Sequence, residues 1–138
     1  MRMRKGMLAG AASLGLVLIG TQPLSAQLVP PTTNKGATVK TIASLELSSQ
    51  IPELSGRYLR ARMRTIEPGG NGALHSHREL PVILYILSGT LTVCTPDGNC
   101  SDLREGQAAA EGKDVTHWTA NKGSMPVQYL QLEVGKEP

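Results

Sequence analysis

Gly69-Gly70-Asn71-Gly72-Ala73-Leu74-His75-Ser76-His77-Arg78-Glu79-Leu80-Pro81-Val82-Ile83-Leu84-Tyr85-Ile86-Leu87-Ser88-Gly89 is the most informative stretch of this 138-residue chain. His75 and His77 are one residue apart. On a strand they project from the same face, about 6.6–7 Å apart along it. That spacing lets two imidazoles converge on one metal ion. Pro81 and Gly89 bound a continuous apolar run, residues 82–87, which suits a strand buried on both faces. Residues 68–72, Pro-Gly-Gly-Asn-Gly, read as a loop. The third and last histidine, His117, falls on another predicted strand.

Outward from this stretch the chain is a series of short strands. Residues 39–47 are a first candidate. Residues 56–66 alternate, with Leu59, Ala61, Met63 and Thr65 on one face and Arg60, Arg62 and Arg64 on the other. Such alternation marks a half-buried strand. The arginine face is read as a solvated sheet face, with the lining of an acidic-ligand site as the alternative. Residues 90–95 and 99–103 form a hairpin, and residues 106–110, 115–121 and 127–134 complete the set. Fifteen Gly, nine Pro and no Phe favour turns and strands over long helices. The pattern predicts an all-β sandwich or barrel. There is no internal repeat and no phosphate-binding glycine loop.

Residues 1–26 carry Arg2, Arg4 and Lys5, then an uncharged apolar run over residues 7–20, then small residues to Ala26. This is the order of a secretory signal peptide. The run is shorter than the roughly 20 residues a membrane span needs, so no stable membrane anchor is expected after cleavage. The expected mature chain starts with an extended lead-in, residues 27–38, followed by one barrel domain, residues 39–138. The whole chain has a net charge of +3. With the leader's cations set aside the charges balance, and the excess of Lys and Arg that nucleic-acid binding requires is absent. Export to the periplasm or beyond favours disulfides. Cys94 and Cys100 flank Thr-Pro-Asp-Gly-Asn, a turn that places them face to face across a hairpin.

Two motifs resemble those of the cupin superfamily. The family's first motif runs Gly, five residues, His-x-His, three or four residues, Glu, six residues, Gly. Residues 69–89 match it through Gly69, His75, His77 and Gly89. The second runs Gly, five residues, Pro-x-Gly, two residues, His, three residues, Asn. Residues 106–121 match it through Gly106, His117 and Asn121, with Gly112 and Asp114 replacing the family's Pro and Gly. The resemblance implies a conical jelly-roll barrel (a double-stranded β-helix) with His75, His77 and His117 at its mouth, binding Fe, Mn, Zn, Ni or Cu. The family's Glu would fall at Pro81 or Val82, so the usual carboxylate ligand is missing. Glu79 shares parity with the two histidines. It is the candidate for a shifted ligand, a partner to a histidine or an acid–base group, with a solvent-facing Glu as the alternative.

Three neutral imidazoles leave an ion's full charge and leave coordination positions open, which suits Lewis-acid or dioxygenase-type chemistry on a small molecule. Loss of the carboxylate argues against the oxalate-degrading members. A non-catalytic ligand-binding, sensor or structural barrel is the competing expectation. Tyr85 and Gln128 are candidate pocket residues; Gln131 has the opposite parity to Gln128, so only one of the two glutamines can point inward. With all histidines assigned to metal, no Ser-His-Asp set remains. The apolar run over residues 82–87 needs cover, and an isologous homodimer is the expected source.

Overall fold

A computed structural model describes residues 28–136. The signal-peptide reading of residues 1–26 lies outside them. The described residues fold into eight strands: β1 (Lys35–Glu46), β2 (Arg57–Ser76), β3 (Val82–Ser88), β4 (Thr90–Cys94), β5 (Cys100–Arg104), β6 (Ala108–Glu111), β7 (Thr116–Ala120) and β8 (Val127–Lys136). A single 3₁₀ turn, Pro52–Leu54, joins β1 to β2. All pairings are antiparallel, in the order β5-β4-β7-β2-β8-β3-β6, with β1 added to β2. This is the all-β jelly-roll barrel expected from the sequence.

The predicted loop at residues 68–72 is instead a corner inside one long strand. Up to Ile66, β2 pairs with β8; from Asn71 it pairs with β7. Glycine makes the bend possible. Gly69 has φ +71°, and a Cβ on Gly70 would come within 2.6 Å of the Lys35 carbonyl oxygen. Buried Asn121 clamps the corner. Its amide Nδ2 donates to the Ile66 and Met125 carbonyls, both at 2.8 Å, while its backbone N–H donates to Gly70 O and its own carbonyl accepts from Gly69 N–H. The second motif's asparagine thus fixes where the first motif's strand turns.

The apolar core gathers Ile66, Val82, Leu84, Ile86, Leu91, Val127 and Tyr129. Contrary to the sequence reading, residues 82–87 are not buried on both faces: Val82, Leu84 and Ile86 point in, while Ile83 and Tyr85 are exposed. The arginine stripe is also reversed from the preferred reading. Arg60, Arg62 and Arg64 lie opposite Glu133, Gln131 and Tyr129 of β8 on the inward face. The apolar residues of the same strands face out, with Leu59 45% and Leu132 40% exposed. The arginines turn inward because Glu133, 1% exposed, receives Arg60 Nε at 2.9 Å and Arg62 Nε at 3.0 Å on one oxygen. A buried carboxylate needs such partners.

Cys94 and Cys100 are directly opposed in the β4–β5 pair and joined by a disulfide, as anticipated. Gly98, at φ +87°, supplies the positive φ of the turn between them.

Candidate metal centre

Strand pairing brings the three histidines together. His75, on β2, is directly opposite His117, on β7. His77 lies just past the end of β2, where its N–H donates to the Val115 carbonyl at 2.9 Å and holds it beside the same pair. The three Nε2 atoms form a triangle with sides of 3.1 Å (His75–His77), 3.0 Å (His77–His117) and 3.1 Å (His117–His75).

The other ring nitrogens decide what faces inward. His75 Nδ1 lies 2.8 Å from the Ala73 carbonyl and His77 Nδ1 2.9 Å from the Leu80 carbonyl. A carbonyl can only accept, so each Nδ1 carries the proton, and a neutral ring then has an Nε2 lone pair. Two lone pairs pointing at each other across 3.1 Å repel unless a cation stands between them. Burial is the leading cause holding His75 below the ordinary histidine value, and the charge of Arg64 adds to it. The neutral form is therefore favoured even at the exposed rim. Metal–nitrogen bonds of about 2.1 Å at roughly 90–109° require nitrogens about 3.0–3.4 Å apart. The observed triangle meets that requirement, so the residues present fit a metal ion.

A carboxylate stands beside them, from a place the sequence reading missed. Glu111, 7% exposed at the end of β6, puts one oxygen 3.1 Å from His117 Nδ1 and the other 3.1 Å from His77 Nε2. Glu111 is the cross-strand partner of Val82, one of the two positions, with Pro81, where the family motif's Glu would fall. Opposed residues of an antiparallel pair project from the same face. The acidic group therefore reaches the same side of the sheet from the neighbouring strand. Only the β3–β6 register reveals this; no local motif marks Glu111.

Glu79 does not join the site. β2 ends at Ser76 and a turn follows, so parity with the histidines is lost. Glu79 is exposed and paired with Lys136 Nζ at 3.1 Å, and that hydrogen bond is the main cause holding its carboxyl below the ordinary value. Tyr85 is 43% exposed on the outer face. Of the two glutamines, Gln131 faces in and lines the pocket, while Gln128 is exposed, because buried Val127 and Tyr129 fix the alternation of β8.

The pocket, about 300 Å³, opens over the histidines and continues past Glu111 to Arg64, Tyr129, Thr119 and Gln131. Burial raises the Tyr129 phenol above its ordinary value, so it remains a donor. The lead-in borders the mouth: Asn34 lines the pocket and accepts from the Ala73 N–H at 2.8 Å, and the Pro31 carbonyl accepts from Leu74 N–H at 2.8 Å.

The structure is an antiparallel jelly-roll barrel whose three converging imidazoles could hold a metal ion, and the comparisons agree on the fold. The cupin domain family profile matches residues 62–134, more than half of the sequence, and the chain belongs to this family. Among solved structures, the polyketide cyclase RemF from Streptomyces resistomycificus is 18% identical, with 90% of this chain and 82% of that one covered, at a TM-score of 0.61. KdgF from Halomonas sp. is 19% identical, covering 74% and 81%, at 0.58. The cupin domain of an XRE-family transcriptional regulator from Enterobacter cloacae is 19% identical, covering 75% and 100%, at 0.55. At these identities the likeness establishes the fold. A search of curated proteins finds no match.

Proposed function

We propose that this chain is an exported cupin that holds one divalent metal ion through His75, His77 and His117 and binds a small organic molecule there. The observation that carries the reading is the triangle of Nε2 atoms, two of them fixed as lone-pair donors by their Nδ1 bonds to carbonyls. A purely structural barrel gains nothing from opposed lone pairs. Imidazole donors suit Fe, Ni, Cu and Zn, and the nearby carboxylate extends the choice to Mn.

The chain's own groups divide the work. The Ala73 and Leu80 carbonyls hold two rings in one tautomer, and Glu111 sits against the third. Such outer partners orient the ligating rings. Tyr129 keeps a proton in the pocket, which Leu84 and Thr119 also line. When bound, the ion supplies Lewis acidity, or redox chemistry if it is iron, to an oxygen of the small molecule.

Export is supported by the leader-like residues 1–26 and by the disulfide, which suits an oxidising compartment. A homodimer is supported by the outer face of β2, β8 and β3, where Leu59, Leu132, Ile83 and Tyr85 are exposed side by side.

Elemental analysis of the purified protein beside a His75→Ala/His117→Ala double variant tests the reading. Near-stoichiometric metal in the parent and its loss in the variant are expected, and the element found separates iron-type oxygen chemistry from zinc-type Lewis-acid chemistry. A parent that takes up no divalent metal on loading would overturn it.

A further inference from the structure

Three arginines project inward from one face of β2, yet they are not equally partnered. Arg60 and Arg62 share one oxygen of Glu133. Arg64, the one opposite Tyr129 in the β2–β8 register, has no ion-pair partner among the described residues. Its Nε is buried without a hydrogen-bond partner, and its guanidinium bonds the Tyr129 phenol. Arg64 lines the same cavity as the three histidines. Arg64 is half-buried with its Nε out of reach of water, so an anion entering the cavity would meet its charge, and its planar fork matches a carboxylate. Of the inward-facing acids, Glu133 is paired with Arg60 and Arg62, and Glu111 points at the histidines, its oxygens 3.1 Å from His77 Nε2 and His117 Nδ1. An anion for Arg64 would therefore come from outside the chain.

We infer that the pocket takes a small hydroxy or oxo carboxylic acid, its carboxylate gripped by Arg64 and its hydroxyl or carbonyl oxygen facing the three histidines. The inference extends the metal-site reading by naming the ligand class, but the Arg64 half stands without the metal. Tyr129 donates to the same carboxylate, and Gln131, which also lines the pocket, keeps its Nε2 on Glu133, the partner of the other two arginines. A neutral analogue gives the guanidinium no counter-charge and binds more weakly, because it cannot form the charge-assisted pair.

Calorimetric titration of lactate, 3-hydroxybutyrate and the uncharged lactamide, into metal-free and metal-loaded protein, tests this. At least one hydroxy acid is expected to bind at least tenfold more tightly than lactamide in both forms. Arg64→Gln is expected to abolish that preference, and Arg64→Lys, which keeps the charge but loses the fork, to retain part of it. Equal binding of acid and amide, or unchanged acid binding in Arg64→Gln, would overturn the inference. Metal content is measured on every sample. Acid binding through Arg64 in a protein that takes up no metal would sink the metal reading alone, whereas metal uptake with no dependence on Arg64 would sink this inference alone. If Arg64→Gln does not fold, Arg64→Lys decides: acid affinity equal to that of the parent would overturn the proposal.

Discussion

The two faces of the β2–β8 ladder are built from the same strands and have opposite character. Inward, Arg60, Arg62 and Arg64 oppose Glu133, Gln131 and Tyr129; outward, Leu59, Ala61 and Met63 oppose Val134, Leu132 and Leu130. A barrel stabilised only by burying apolar surface would reverse that arrangement. Here the apolar core runs from Ile66, Ile86, Leu91 and Val127 to Leu84 and Tyr129, which line the pocket beside the charged interior. Period-two alternation reports that a strand has two faces. It does not report which one is inside, and in a barrel that hosts a ligand the polar face belongs there.

The largest test of that comparison is to remove the inner face's counter-charge. Glu133→Leu leaves Arg60 and Arg62 withdrawn from water without an anion and is expected to cost about 3–5 kcal/mol, read by urea unfolding. A cost below about 1 kcal/mol would show that the inner charges are effectively solvated. Next comes the carboxylate from β6. Glu111→Gln removes the charge beside His77 and His117 but keeps the shape, and is expected to weaken metal binding by roughly 10–100-fold in a competition titration against a chelator. An unchanged affinity would detach Glu111 from the centre.

The outer face should respond in assembly and not in folding. Leu132→Glu is expected to shift a dimer to monomer by light scattering while changing unfolding free energy by no more than about 0.5 kcal/mol, the usual range for surface sites. A parent already monomeric at micromolar concentration would leave the apolar outer face without a second copy to cover it. The smallest effect is pH-dependent. His75 is held below its ordinary value by burial, so below about pH 6.5 the unfolded chain binds more protons than the native one. Metal-free protein should hold its full stability above that pH and lose some as pH falls toward the native value. Thermal melts of His75→Asn should lack this component, and identical pH profiles would remove His75 as its source.

Much of the fold and the heart of the site are legible in the sequence. The spacing of His75 and His77, the turn between Cys94 and Cys100 and the succession of short strands each follow from local rules. What escapes reading depends on register between distant strands. Glu111 becomes relevant only when β6 lies beside β3 with Val82 opposite it. Glu79 misleads because parity holds only while a strand continues, and β2 stops at Ser76. The choice between Gln128 and Gln131 depends on which of their neighbours β8 buries, and the arginine stripe on which face the barrel closes around. Residues 68–72 read as a loop because glycine and proline punctuate both loops and strand corners. Asn121, far along the chain, decides between them.

The corner at Gly69 and Gly70 also governs how the molecule comes apart. Because β2 runs unbroken from its pairing with β1 and β8 into its pairing with β7, the strands on either side of it belong to one sheet with no seam between them. Opening the histidine end releases the same strand that carries the arginines. Slow amide exchange should therefore be lost together across both halves of β2, and a ligand seated at the mouth protects strands it never touches.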